Sequence, residues 1–489
     1  MANNYKVSKI PKAANDTKVG AILSKAIISF LAVFTLYLLY LNFWYSVEYN
    51  ALLYAFLVIP AFAIIYLISY KLNISPIAFA ISIFVLAFLS KSLLVLMTDT
   101  KPVSDFNTFY QSAIQLLKGD KSFGHSFYFK TWAYQTGPVL YYCAIMKLFG
   151  TAILPLKLVN CFFMAGTNTL IYLIARKISN DYTARFVSLL YLVYPAPYFL
   201  AAVLTNQHFA ACMFLLAVYV LLIERLNWGV KGIIAGVIMS IGNTVRPLGI
   251  VIIAASIIWG LVETIRSKKV AKIGIVVLIV ITYLLVNFGS STLVKRADIN
   301  PEGLANNFPL WKFVVGFNYD SNGQFSYADQ NNILDIQDLN KRDIVSKQVI
   351  RERLSIGPAK LANLLNTKQI AMWAGLDTLT WEFYQQIGEE LVPSKDLGKF
   401  EPTILNTEKM YYIFIFILMF LGLCKVVVNK RVLPEVILLS AILLCYLGAH
   451  IFIEIQVRYR YFAVILVFIL AAKGCELLFG KINGYREKY

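Results

Sequence analysis

The chain has 489 residues, 59% of them hydrophobic and only 15% charged, with a net charge of +18 and a mean hydropathy of +0.66. A soluble domain carries roughly 25% charged residues. Apolar surface on this scale needs a bilayer as its solvent, so length here counts membrane spans and not globular domains. The Lys and Arg fall mostly in short clusters between apolar runs, as the positive-inside rule requires, and this excludes reading the charge as a nucleic-acid footprint.

In chain order, residues 1–25 are basic (Lys6, Lys9, Lys12, Lys18 and Lys25) and are assigned to the cytoplasm. Residues 26–97 hold three spans, in the apolar runs Ala26–Ser46, Ala51–Tyr70 and Pro76–Met97. The first run is too long for a signal-peptide core and is expected to remain as a helix. Residues 98–151 form a first extracytoplasmic loop with juxtamembrane helices. Residues 152–289 hold the central spans, in the runs Ala152–Ala175, Phe186–Leu204, Asn206–Ile223, Gly232–Val245, Pro247–Val262 and Ile273–Phe288. A large extracytoplasmic segment of soluble composition follows over 290–408. Three C-terminal spans occupy 409–480 (Met410–Val428, Val432–Phe452, Tyr461–Phe479), and 481–489 is a cytoplasmic tail. The expectation is an all-α polytopic protein of the cell membrane with about twelve spanning helices and both termini cytoplasmic.

The parity of this topology rests on Gly137–Phe149, a run about half a span in length. If it does not cross, the clusters Arg176/Lys177/Arg185, Arg225/Lys231, Arg266/Lys268/Lys269/Lys272, Lys425/Lys430/Arg431 and Lys481/Arg486/Lys488 all face the cytoplasm. The run is therefore placed along the outer interface.

Within the first loop, Ser104 is a good helix N-cap and Gly119 a good stop. Phe106, Phe109, Tyr110, Ala113, Leu116 and Leu117 make one apolar stripe at helical spacing, which predicts an amphipathic helix lying on the outer leaflet. In the larger segment, Ser321-Asn322-Gly323 reads as a turn and Ile333–Leu365 as amphipathic helix. Lys91 and Lys157 lie near outer helix ends and are expected to snorkel. The six cysteines all sit in apolar stretches without metal or disulfide spacing. The three histidines (His125, His208, His450) have no metal-ligand spacing either, which makes His208 a hydrogen-bonding residue.

Candidate chemistry gathers on the outer side. Asp105 opens the first-loop helix, where it suits the helix dipole and could also take a proton from a hydroxyl or amine. Arg246 interrupts an apolar stretch between two short helices, a position from which a guanidinium can clamp a phosphate. Glu454 and Arg458 are four apart, hence on one face if helical and able to pair; Arg458 or Arg460 would supply a second positive group.

These residues carry a resemblance. Asp105 followed by Tyr110, Ala113 and Gly119 resembles the first extracytoplasmic loop of the GT-C glycosyltransferases, in the bacterial branch related to protein mannosyltransferases and aminoarabinose transferases. Tyr134-Gln-Thr-Gly137-Pro138 resembles that family's juxtamembrane segment, without its His and with one Pro. Asn243-Thr-Val-Arg246-Pro247 is similar to its Arg-Pro pair, and Glu454 to Arg458-Tyr459 to its late Glu-x-x-x-Arg-Tyr pattern. The turn Asn206-Gln207-His208 stands where many relatives carry an acidic residue.

The resemblance implies an inverting transfer of sugar from a polyprenyl-phosphate carrier to a glycan, lipid or protein acceptor outside the cytoplasm. Asp105 would be the base and Arg246, Arg458 and Arg460 the phosphate ligands, with Tyr110, Tyr134, Asn206, His208 and Glu454 in support. It implies membrane lipids as partners, no nucleic acid and no certain cofactor; a divalent metal stays open. The absence of a Gly-rich phosphate loop agrees with a lipid donor. The other readings are a flippase or transporter of lipid-linked sugars, or a polymerase of them. Transporters favour paired repeats and short loops, whereas here candidate residues and a long segment share one side.

Overall fold

The computed structural model describes residues 16–48, 50–98, 100–375, 384–387, 390–393 and 400–486. The first helices are α1 Lys18–Glu48, α2 Ala55–Lys71 and α3 Pro76–Met97. The first loop folds as α4 Ser104–Leu117, the short α5 Phe127–Thr131 and α6 Thr136–Phe149. Next come α7 Ile153–Ile178, α8 Asp181–Val193, α9 Pro195–Ala202, α10 Gln207–Leu221, α11 Trp228–Val245, α12 Gly249–Ser267 and α13 Ala271–Arg296. The large segment contributes α14 Trp311–Gly316, the one-turn α15 Tyr327–Asp329, α16 Leu339–Leu354 and α17 Pro358–Gln369. The chain closes with α18 Glu401–Val428, α19 Pro434–Phe452 and α20 Tyr461–Arg486. The only strands among the described residues pair as an antiparallel hairpin, β1 Tyr384–Ile387 with β2 Glu390–Pro393.

Ten of the described helices are long and apolar enough to cross a membrane. Two expected spans differ from that pattern. The run Phe186–Leu204 is a pair, α8 and α9, bent by 48°. The break falls at Tyr194, which is held extended before Pro195, because a proline disfavours helical backbone in the residue ahead of it. The run Asn206–Ile223 yields α10 of only 15 residues, roughly 22 Å at 1.5 Å per residue and short of a 30 Å hydrocarbon core. With the bent pair taken as one span, the described helices supply up to eleven spans against the expected twelve. Several boundaries move outward: α13 continues to Arg296, α18 begins at Glu401, and α20 runs through most of the stretch assigned as a tail. Lys6, Lys9, Lys12 and Lys488 lie outside the described residues.

The core centres on α20, whose residues Tyr461 to Ala472 are all buried, against α18, α7 and α8. At the periphery α1–α3 turn Phe30, Val33, Ile64, Ile77 and Leu89 outward, surface that only lipid can cover. Both lysines expected to snorkel are instead buried in protein. Lys91 lies 4.6 Å over the Tyr198 ring, and Lys157 donates to the carbonyl and hydroxyl of Thr100. Enclosed by the bundle at 0% and 3% exposure, neither side chain reaches the interface.

One end of the bundle gathers Thr17, Arg266, Arg176 and Lys425: Thr17 N donates to Arg266 O at 3.1 Å. The other end carries the first loop and the large segment, which pack on each other. Asn300 donates to Phe129 O at 3.1 Å and to Thr136 Oγ1 at 2.9 Å, and Asn307 N to Thr131 O at 3.1 Å. The apolar stripe of α4 was expected to face lipid. It is covered by protein instead: Phe106, Phe109 and Ala113 join Phe129, Val139 and Tyr142 of α5 and α6 in a satellite core. Ser104 does not cap α4. It stands at φ 48°, and a capping serine needs extended backbone to turn its hydroxyl toward the first free N–H groups. The predicted turn at Ser321-Asn322-Gly323 is present, with Asn322 and Gly323 at φ 54° and 73°. α16 and α17 occupy the stretch read as amphipathic helix.

The large segment is fastened to the spans by Lys368, a fully buried residue of α17. Its ammonium donates to Gly316 O at 2.9 Å, Ile451 O at 2.8 Å and Ile453 O at 2.9 Å, joining α14, α17 and the end of α19. A hydrogen bond to a charged group contributes about 1.5–3 kcal/mol. Lys368→Met is therefore expected to destabilise the purified protein by about 3 kcal/mol, and to expose 300–370 to limited proteolysis before the spans unfold. A melting temperature and cleavage pattern equal to wild type would show that the contact does not fasten this segment.

Candidate active site

Five segments distant in sequence meet at the loop-bearing end of the bundle. They are the start of α4 (Asp105), the α5–α6 region (Tyr128 and Tyr134), the α11–α12 junction (Arg246), α14 (Lys312) and the α19–α20 junction (Glu454 to Arg460). Two glycines allow the approach. A Cβ on Gly137 would sit 1.6 Å from Thr244 O, so only glycine lets α6 close on the end of α11, two residues before Arg246. A Cβ on Gly316 would sit 2.4 Å from Phe452 O, so only glycine lets α14 press against the end of α19.

At the centre stands Tyr459. Arg246 lies 5.4 Å, Arg458 5.7 Å and Lys312 5.9 Å from its ring centroid. The ring face attracts cations without neutralising them. Arg246 also donates to Asn206 Oδ1 at 3.3 Å, while Asn206 donates to Val245 O at 2.8 Å, so Asn206 fixes the junction that carries the arginine. Arg246, Gln207, Tyr446 and Tyr459 line a narrow cleft. A larger apolar groove, about 360 Å³, runs between α3 and α7 and shares none of these residues.

Glu454 does not pair with Arg458 across a helical turn. Residues 453–456 are extended and 457–460 form one 3-10 turn, so the four-residue spacing has no helix to act through. Glu454 instead accepts from Lys312 Nζ, and its backbone N–H donates to Lys312 O at 2.8 Å. Gln456 bridges onward, donating to Glu454 Oε1 at 3.1 Å and accepting from Arg458 Nε at 2.7 Å. Burial works against the charge of Glu454, but Lys312 outweighs it and holds the carboxyl below its ordinary value. Lys312 in turn is desolvated, yet Glu454 keeps it protonated.

Asp105 is half-buried at the edge of this group and accepts from Tyr128 OH at 3.0 Å. Burial first, then the Asp105 charge, pushes the Tyr128 phenol well up, so it remains the donor. Arg458 lies 5.2 Å over the ring of Phe106, the residue beside Asp105. Tyr134 completes the wall: burial and the carboxylates of Asp105 and Glu454 raise its phenol to about 12, although Lys312 pulls the other way. Arg246, Arg458 and Lys312 thus gather around one ring, with Asp105 as a proton acceptor at its edge.

Other sequence candidates have partners elsewhere. Tyr110 OH donates to Thr151 O at 2.7 Å, tying α4 to the start of α7. His208 is fully buried between Tyr461 OH at 2.9 Å and Leu200 O at 3.0 Å; the carbonyl requires a proton on Nε2, so Nδ1 accepts. Arg460 is buried, donates to Met372 O at 3.2 Å and Trp373 O at 3.1 Å, and lies 4.8 Å over Tyr412. Among the described residues no three His, Cys, Asp or Glu gather as a metal site, and the six cysteines are free thiols. Sequence reasoning missed Lys312 and Tyr128. Neither has a local signal, since each acts through a partner far along the chain.

Residues 137–287 match the protein-family profile described as dolichyl-phosphate-mannose-protein mannosyltransferase. That family transfers sugars. The resemblance to the GT-C glycosyltransferases is borne out over this stretch, which includes Asn206, His208 and Arg246 and leaves Asp105, Lys312 and Glu454 outside it. A solved structure, ArnT from Cupriavidus metallidurans bound to undecaprenyl phosphate, aligns with 82% of this chain and 77% of its own at 14% identity and a TM-score of 0.33. No curated protein matches the chain.

The Lys312–Glu454 pair sets an acid limit. Because the folded pKa of Glu454 lies below its ordinary 4.5, the pair's stabilisation is fully present above about that pH and is lost as the pH falls through the folded value. Melting temperature measured from pH 7 to pH 3 should drop more steeply in wild type than in Glu454→Gln, the two differing least at the acid end. Parallel curves would mean the pair contributes nothing to stability.

Proposed function

We propose that the protein transfers a sugar from a polyprenyl-phosphate carrier to an acceptor at the extracytoplasmic face. The observation that carries this is the meeting of Asp105 with Arg246 and Arg458 around Tyr459, at the end of the bundle away from the basic clusters. The family description over residues 137–287 names a lipid-phosphate sugar as donor, which supports the same donor class here.

In this scheme Arg246 and Arg458 hold the carrier phosphate, and their charges stabilise it as the leaving group. The acceptor's nucleophilic atom forms a bond to the anomeric carbon as the bond from that carbon to phosphate oxygen breaks. The acceptor's proton passes to Asp105, which Tyr128 holds in place through its hydroxyl. A single displacement of this kind inverts the anomeric centre. Asn206 acts through Arg246, and Gln456 through Arg458.

Asp105→Asn keeps shape and removes proton acceptance, so it should fold, melt like wild type and still bind the carrier while losing about 10²–10⁴-fold in transfer rate. The control is Asp99→Asn, at a position outside the described residues, expected to keep most activity. If Asp105→Asn turns over normally in a lipid-linked sugar transfer assay, the base assignment fails and the flippase reading gains.

Orientation follows from the basic clusters at the opposite end. A cysteine introduced at Asn322 should react with an impermeant reagent on intact cells, and one at Ser267 should not. The reverse labelling would put the whole cluster on the cytoplasmic side.

A further inference from the structure

The Lys312–Glu454 pair lies inside the cation cluster, yet the carrier scheme does not use it and the fold has other contacts at the same place. α14 is already held against the end of α19 by Lys368 and by backbone hydrogen bonds from Glu454 N to Lys312 O and from Ile455 N to Gly323 O, at 2.8 and 2.9 Å. The two partners are also unequally placed. The Glu454 side chain is 4% exposed, whereas that of Lys312 is 36% exposed and overlooks the same Tyr459 ring as both arginines. A lysine bound only for structure has no need to stand open on the side where two other cations converge. A flexible four-carbon stem with three rotatable donors can swing to a new acceptor without moving its helix.

Resting on the carrier reading above, we propose that Lys312 is an exchangeable phosphate ligand, parked on Glu454 in the empty site and handed to the carrier phosphate when it enters. Glu454 is then a positioning residue: it keeps Lys312 charged and aimed, and competes with the phosphate for it. Removing the carboxylate therefore frees the lysine and removes a negative charge from beside the incoming anion. Glu454→Gln should bind the phosphate more tightly, the opposite of what loss of a structural latch would give.

The test measures binding of undecaprenyl phosphate to the full-length protein in nanodiscs, with undecaprenol, which lacks the phosphate, as the control lipid. Melting temperatures are recorded alongside. Wild type is expected to prefer the phosphorylated lipid. Lys312→Met should weaken that preference about tenfold or more and Lys312→Arg should keep most of it, while Glu454→Gln should match or exceed wild type. If the lone methionine unfolds the site, the double variant Lys312→Met, Glu454→Gln removes both charges together and should still show the loss. Equal affinity in wild type and Lys312→Met overturns the exchange. So does a parallel loss of affinity and melting temperature in Lys312→Met and Glu454→Gln, which marks a latch. Failure of folded wild type to prefer the phosphorylated lipid sinks the carrier reading itself, and the exchange with it.

Discussion

The outer layer hangs on the ammonium of Lys368, shared among three backbone carbonyls where α14, α17 and the end of α19 meet. Carbonyls at a helix end have no partner within the helix, and in the apolar setting under this layer an unmet carbonyl is costly. One buried cation answers three of them. The closeness it enforces is tolerable only because Gly316 has no side chain. From that contact the rest follows: Lys312 is brought beside Glu454, the 453–456 segment is held extended, and Arg458 and Tyr459 are presented toward Arg246 and Asp105.

Three cations, Arg246, Arg458 and Lys312, are concentrated around one aromatic ring, that of Tyr459. Like charges so placed repel, and the arrangement persists because each has its own tether: Asn206 for Arg246, Gln456 for Arg458 and Glu454 for Lys312. The tethers of Arg246 and Arg458 fix those two guanidiniums in advance, so neither has to rearrange to meet an anion, which is electrostatic preorganisation.

Much of this was legible in the chain. Apolar runs located the spans, since a bilayer punishes any other arrangement, and charge asymmetry placed the basic clusters at one end and the candidate residues at the other. Asp105 and Arg246 stood out because an ionisable residue bordering apolar helix is expensive and invites a reason. What could not be read was anything decided by partners far apart in sequence. The stripe on α4 has the same periodicity whether lipid or α6 covers it. Glu454 and Arg458 have helical spacing, but the chain there is extended because α14 claims its backbone. Lys312 sits in an ordinary Trp-Lys-Phe stretch and becomes notable only when the end of α19 is laid beside it. Ser104 has the right side chain for a cap and the wrong φ.

The order in which the cluster's parts occur along the chain has a consequence for biogenesis. Asp105 follows the third helix, Arg246 lies near the middle, Lys312 belongs to the large segment between α13 and α18, and Arg458 immediately precedes α20. During synthesis the early helices must therefore wait in the bilayer with the buried Lys91 and the half-built cation cluster uncovered. A chain interrupted at the end of α19 would hold most of the protein's helices, yet it would lack Arg458 and Tyr459 and so could not complete the cluster. The helix against which α7, α8 and α18 pack, α20, follows directly on Arg458 and Tyr459, so assembly of the bundle core and completion of the site go together.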